Sequence, residues 1–100
     1  ALSDQIIMSN ESIVRRMYEV CDKYESGQLS ITELGANICA HGSGLESIGK
    51  RLEEYLITFD GRCEEIAMDN IPKYQRKKAM VLIRELKEIL ASDYSKIPEL

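Results

Sequence analysis

The sequence predicts an all-α fold, an antiparallel bundle of about four helices. Apolar residues recur at steps of three and four along most of the chain, which is the spacing of one face of a helix. No segment shows the alternation of apolar and polar residues that a half-buried strand requires. The connections between the periodic segments are short, which favours antiparallel neighbours. A chain of 100 residues has the length of one domain with a single core.

The first helix is expected over residues 9–25. Ser9 or Asn10 can cap its start, and Glu11 lies in the first turn, where the helix dipole favours an acidic side chain. Its apolar face consists of Ile13, Met17, Val20, Cys21 and Tyr24. Gly27 can adopt the left-handed conformation that is common just past a helix end, so we expect the helix to end before it.

The second helix is expected over residues 31–40. The sequence Ser30-Ile31-Thr32-Glu33 has the spacing of a capping box, in which the serine hydroxyl and the glutamate carboxylate bind backbone N–H groups at a helix start. Gly35 and Ala36 are small enough to let a neighbouring helix approach closely. The glycine-rich segment 41–44 is expected to end the helix.

The third helix is expected over residues 45–60, with a break or bend at Asp60-Gly61 and a continuation to residue 69. Its apolar pattern is the most regular of the chain and comprises Leu45, Ile48, Leu52, Tyr55, Leu56 and Phe59. Glu46 and Lys50 have the spacing of an i,i+4 ion pair on its exposed side.

The fourth helix is expected over residues 72–91. Pro72 fits its first turn, where the missing N–H of proline is not needed. Its apolar stripe consists of Ala79, Leu82, Ile83, Leu86, Ile89 and Leu90. The whole chain, 1–100, is then one helical domain, and we expect residues 1–8 and 93–100 to be mobile.

Composition and charge argue against several classes of protein. The net charge of −4 and the pI near 5.0 disfavour direct binding to nucleic acid, which selects cationic surfaces. No apolar run approaches the roughly 20 residues of a membrane span, and the start of the chain lacks the features of a targeting signal. We therefore expect a cytoplasmic protein that binds no membrane.

The cysteines and the single histidine give no sign of catalysis. Cys21, Cys39 and Cys63 are odd in number, widely spaced and never in a CxxC pair, which is typical of reduced thiols. Each lies beside apolar positions, so we expect them to be buried as small apolar side chains. His41 has no nucleophile or acid arranged around it in the sequence. We expect neither enzyme activity nor a cofactor.

The stretch from Asp22 to Glu33, DKYESGQLSITE, also matches much of the EF-hand pattern. As a calcium loop it would have Gly27 at the turn. Its ligands would be Asp22, Ser26, Gln28, Ser30 and Glu33. Tyr24 stands where the ion needs a short side-chain oxygen, and the chain contains no second loop of this kind. Because the capping box explains Ser30 and Glu33 without an ion, we favour a structural turn and predict no metal site. A degenerate EF-hand-like calcium-binding protein is the alternative.

The strongest functional candidate is a run of acidic residues late in the chain. Between residues 53 and 69 there are six acids and one base, a local charge of −5. The acids are Glu53, Glu54, Asp60, Glu64, Glu65 and Asp69. Such a surface steers association with a basic protein partner.

The basic run KYQRKK at residues 73 to 78 is the competing candidate. Its four cations and Tyr74 are residue types that bind phosphates and stack on bases. A helical adaptor or nucleic-acid accessory domain is therefore a second alternative function. We expect the run instead to pack against the preceding acids within the fold.

Two sequence features together resemble a known family. One is the turn YESGQLSITEL, and the other is the pattern L-x2-I-x3-L-x2-Y-L-x2-F followed by the acidic segment. With a short helix between them, they resemble the colicin D immunity proteins and related immunity proteins of contact-dependent growth inhibition. The similarity is closest over residues 25–34 and looser through residue 60.

The resemblance implies an acidic helical bundle that neutralises a bacterial nuclease toxin, with tRNA as one candidate substrate of that toxin. Such an inhibitor has no catalytic residues, and its acidic side chains occupy the basic, RNA-binding cleft of the toxin domain. The six acids between residues 53 and 69 would then contact the partner. The KYQRKK run departs from this pattern and would have to face away from a cationic toxin.

Overall fold

The computed structural model describes residues 10–93, which form four α-helices and no strand. We label them α1 (Asn10–Glu25), α2 (Ile31–Gly42), α3 (Lys50–Ala67) and α4 (Pro72–Asp93). The predicted all-α fold and helix order are confirmed. The segments expected to be mobile, 1–8 and 93–100, lie outside the described residues apart from Asp93, the last residue of α4.

The turn between α1 and α2 forms as the sequence predicts. Gly27 has a φ of 85°, which costs a glycine little because it has no Cβ. The Ser30 hydroxyl accepts a hydrogen bond of 3.2 Å from the backbone N–H of Glu33, and the Ser30 N–H donates one of 2.8 Å to the Glu33 carboxylate. Both halves of the capping box are therefore present at the start of α2.

The predicted start of the third helix at residue 45 is wrong, since α3 begins at Lys50. Leu45 and Ile48 lie instead in the loop 43–49, where they pack half-buried against the core. The side chain of Asn10 holds this loop to the start of α1, because it binds the backbone C=O and N–H of Glu46 at 2.6 and 3.0 Å. Residues with the apolar spacing of a helix face thus lie in an irregular segment that covers the core.

The break predicted at Asp60-Gly61 is also wrong, because α3 continues through both residues to Ala67. Gly61 lies on the exposed side, with no atom within 4 Å of the position its Cβ would take. One exposed glycine costs a helix about 1 kcal/mol relative to alanine. The buried residues Leu52, Leu56, Phe59 and Cys63 span the glycine and hold the helix together.

The α2–α3 pair packs most closely and runs antiparallel. A Cβ on Gly35 would lie 2.7 Å from the Asp60 carboxylate and 2.8 Å from the Cβ of Cys63, whereas one on Gly42 would lie 3.1 Å from Leu56. The close approach predicted at Gly35 is confirmed, but Ala36 is exposed and takes no part in it.

Polar contacts join α4 to α1 and α3. Lys87 Nζ lies 3.1 Å from the Glu25 carboxylate, and Arg76 donates to the backbone C=O of Glu25 at 2.6 Å. On the other side, the Tyr55 hydroxyl donates to the backbone C=O of Leu82 at 2.9 Å. These bonds fix the register of α4 around an aliphatic core that contains Phe59 as its largest fully buried side chain.

Candidate protein-binding surface

The outward side of α3 carries most of the candidate acids. Glu53, Ile57, Gly61 and Glu64, with the C-cap residue Met68 just past the end of α3, follow one another at steps of four, four, three and four, so they share one side of the helix. Glu54 and Glu65 lie along one edge of this side. We call these seven residues the outer face. All seven are exposed to solvent.

The outer face combines charge with unusual apolar exposure. Ile57 is 70% exposed and Met68 is 80% exposed, although large apolar side chains are more often buried. Among the described residues, Glu53, Glu64 and Glu65 form no ion pair. Glu54 lies 4.0 Å from Lys50, and both side chains are largely exposed, so this pair is weak. The face therefore presents free carboxylates around apolar groups.

Asp60 is not part of this surface. It is half-buried, and its carboxylate faces Gly35 across the α2–α3 contact. Burial raises the pKa of the neighbouring Cys63 thiol to about 12, and the negative charge of Asp60 adds to that effect. The carboxylate of Asp60 therefore lies against α2 and is only partly open to solvent.

Asp69 has a structural role in the turn before α4. Its carboxylate accepts a 3.0 Å bond from the backbone N–H of Ile71 and lies 2.9 Å from Lys78 Nζ. The bond from Ile71 and the bond from Lys78 lower the pKa of Asp69 below its usual value. Its side chain is only 17% exposed. Of the six predicted acids, four remain available to a partner: Glu53, Glu54, Glu64 and Glu65.

An apolar groove lies beside the outer face, between the end of α2, the loop 43–49 and the first half of α3. It has a volume of about 410 Å³. Its lining includes Cys39, Gly42, Leu45, Ile48, Glu53, Leu56 and Ile57. Sequence reasoning missed this groove because it placed Leu45 and Ile48 on a helix face and expected Cys39 to be buried. We call it the α2–α3 groove.

The three cysteines have two different environments. Cys21 and Cys63 are buried, as predicted, and burial raises the pKa of each thiol to about 12. Cys39 is exposed, so the prediction that it is buried is wrong. It lies on the side of α2 that borders the α2–α3 groove. Its neighbour Ile38 is buried, whereas Ala40 is exposed like Cys39 itself.

Side chains of the EF-hand-like stretch already form hydrogen bonds and an ion pair within the fold. Asp22 lies in the last turn of α1, 3.8 Å from Lys87 Nζ. The backbone N–H of Ser30 and then its hydroxyl lower the pKa of Glu33, whose carboxylate caps α2. Ser26 binds the backbone C=O of Lys23 and accepts a bond from Gln28. Within residues 10–92, no group of three His, Cys, Asp or Glu side chains has the geometry of a metal site.

The basic run divides between internal and external roles. Lys78 pairs with Asp69, which confirms for this one residue the prediction that the run packs against the preceding acids. Arg76 turns instead toward α1, where it lies 5.8 Å from the centre of the Tyr24 ring. Lys73, Tyr74 and Lys77 are exposed. His41 is half-buried at the end of α2.

Comparison with protein-family models, curated proteins and solved structures finds no match to this chain. None of the helices in the described part of the chain is long and apolar enough to cross a membrane.

Proposed function

We propose that this chain is a bacterial immunity protein that binds a basic nuclease toxin domain and blocks its RNA-binding cleft. The single observation that carries the proposal is the outer face of α3, with its four exposed glutamates around Ile57 and Met68. The resemblance of the turn at residues 25–34 to colicin D immunity proteins supports the same assignment.

Inhibition of this kind needs no catalytic residue. A nuclease cleft is lined by lysine and arginine because it must hold phosphates. Carboxylates on a rigid helix offer those cations hydrogen-bond acceptors similar to the phosphate oxygens of RNA. Long-range attraction between the two surfaces speeds encounter, and the exposed apolar residues supply area that loses water in the complex. The inhibitor then excludes RNA by occupying its place.

The geometry favours this function over the calcium alternative. Calcium in an EF-hand requires the last glutamate of the loop as a bidentate ligand. Here the Glu33 carboxylate already accepts the backbone N–H of Ser30 at 2.8 Å. Binding an ion would require that cap to open.

The geometry also favours it over a nucleic-acid function. Two of the four cations of the basic run, Arg76 and Lys78, already bind groups within the fold. Of the run, Lys73 and Lys77 remain beside Tyr74. Two cations are few for a phosphate-binding surface on a chain of net charge −4.

The direct test is a nuclease assay with a cationic nuclease toxin domain as the candidate partner. We expect an equimolar amount of the chain to stop RNA cleavage and the two proteins to elute together in gel filtration. Continued cleavage at excess chain, with separate elution, would contradict the proposal.

A further inference from the structure

We propose that the α2–α3 groove is the anchor site of the interface and receives an apolar side chain from a lysine- or arginine-rich segment of the partner. This inference rests on the proposed function, because it assigns the chemistry of the partner segment that meets the outer face. The groove would add an apolar, concave contact to the polar contacts that the exposed carboxylates make with the partner.

The floor of the groove is suited to an apolar side chain. Leu45, Ile48 and Leu56 contribute apolar side chains, and Ile57 at 70% exposure forms its outer wall. A volume of about 410 Å³ falls within the range of pockets that hold small molecules, roughly 300–1,000 Å³. Gly42 is buried against Leu56, so the end of α2 lies close to α3 and closes the groove from below.

Charge at the rim determines the kind of partner that fits. Glu53 lines the groove and also belongs to the outer face, so one carboxylate serves both surfaces. A side chain that enters the groove therefore brings its chain neighbours next to Glu53. Lysine or arginine at those neighbouring positions would be attracted, whereas acidic residues would be repelled. The geometry thus selects a basic protein segment with an apolar anchor.

The backbone beside the groove is held in an uncommon conformation. Ser47, which lines the groove, has a φ of 54°, a left-handed value that a side chain makes unfavourable. Residues in such conformations cluster at binding sites, where the surrounding structure holds them. The loop 43–49 is held here by the bonds between Asn10 and Glu46 and by the burial of Leu45 and Ile48. The groove is consequently formed before any partner arrives.

This arrangement matches the general anatomy of interface hot spots. Apolar anchors in a pocket supply most of the binding energy, and a charged rim adds specificity and association rate. Ile57 stands at the junction of pocket and rim. Its truncation should therefore weaken binding more than the truncation of an equally apolar residue elsewhere on the surface.

Cys39 offers a readout inside the groove, since it is the exposed cysteine of the described chain and the other two are buried. The probes are two synthetic lysine-rich peptides of equal length and charge, which carry either leucine or serine at their uncharged positions. We expect the leucine peptide to slow alkylation of Cys39 and to bind about tenfold more tightly than the serine peptide.

The variant Ile57→Ser should lose this difference. Ile71→Ser, at a residue that is 49% exposed and outside the groove, should keep it.

The possible failures are distinguishable. Equal binding of the two peptides, or binding of the leucine peptide without protection of Cys39, would overturn the groove assignment and leave the acidic outer face intact. Absence of binding by either peptide would also overturn it, while the nuclease assay decides the proposed function separately. Circular dichroism of both variants checks that each remains folded.

Discussion

Ser30 and Glu33 bind each other's backbone N–H groups, at 3.2 and 2.8 Å, and so fix the start of α2. Removal of the hydroxyl leaves the Glu33 N–H without its partner. We expect Ser30→Ala to lower the free energy of unfolding by about 1 kcal/mol. Urea denaturation measures this, with Ser92→Ala, at an exposed serine of α4, as the control. Equal effects of the two substitutions would contradict the role of the cap.

Calcium should not stabilise the folded chain. The carboxylate that an EF-hand would use, that of Glu33, is engaged in the cap, and Tyr24 is buried beneath Arg76 instead of facing a loop centre. A ligand that binds only the folded state must raise its melting temperature. We therefore expect the same melting temperature in millimolar calcium and in chelator. An increase in melting temperature with calcium, abolished by Glu33→Gln, would contradict this prediction and support the calcium-binding alternative.

Alanine substitutions at two glycines within helices should change the stability of the fold in opposite directions. At Gly35 an added Cβ would lie 2.7 Å from Asp60 and 2.8 Å from Cys63, so the α2–α3 contact must shift. We expect Gly35→Ala to destabilise the fold by about 1–3 kcal/mol, as overpacking does. Gly61 has open space around it, and Gly61→Ala should stabilise by about 0.4–1 kcal/mol. Thermal unfolding of the matched pair checks both signs.

Stability should fall in acid because two carboxylates are bound in the folded state. Hydrogen bonds lower the pKa of Glu33 from 4.5 and that of Asp69 from 3.8. Since the unfolded chain binds protons more readily at these sites, their contribution is fully present above about pH 5 and is lost as the pH falls through the lowered folded values. Urea denaturation between pH 6 and pH 3 measures the loss. The double variant Glu33→Gln, Asp69→Asn should show a shallower decline, and an unchanged slope would contradict this account.

Local chemistry made much of the fold predictable. The capping box at Ser30, the glycine turn at Gly27 and the proline at the start of α4 each act through neighbours in the sequence, and each lies where it was expected. The loop 43–49 was not predictable in this way. Leu45 and Ile48 have helical spacing, but the side chain of Asn10, distant in sequence, binds the backbone at Glu46 and holds an irregular path.

The candidate site was predicted only in part, for a related reason. A charge count cannot distinguish a carboxylate that faces solvent from one that the fold uses. Glu53 and Glu64 face outward, whereas Asp60 lies against Gly35 and Asp69 caps the turn before α4. The apolar groove depends on the same loop path that the sequence pattern misplaced. Its existence therefore follows from tertiary contacts, with no local signal to reveal it.

The central claim is that the outer face of α3 meets a basic partner. The variant Glu53→Lys, Glu64→Lys reverses two of its charges. The control Glu19→Lys, Glu88→Lys makes the same change in net charge at exposed positions on α1 and α4.

The most direct measurement is the rate of association with the toxin domain, by stopped flow, at low and high salt. We expect the α3 variant to associate on the order of tenfold more slowly than the control at low salt, with the difference reduced at high salt as screening increases. Equal rates for the two variants at low salt would contradict the claim.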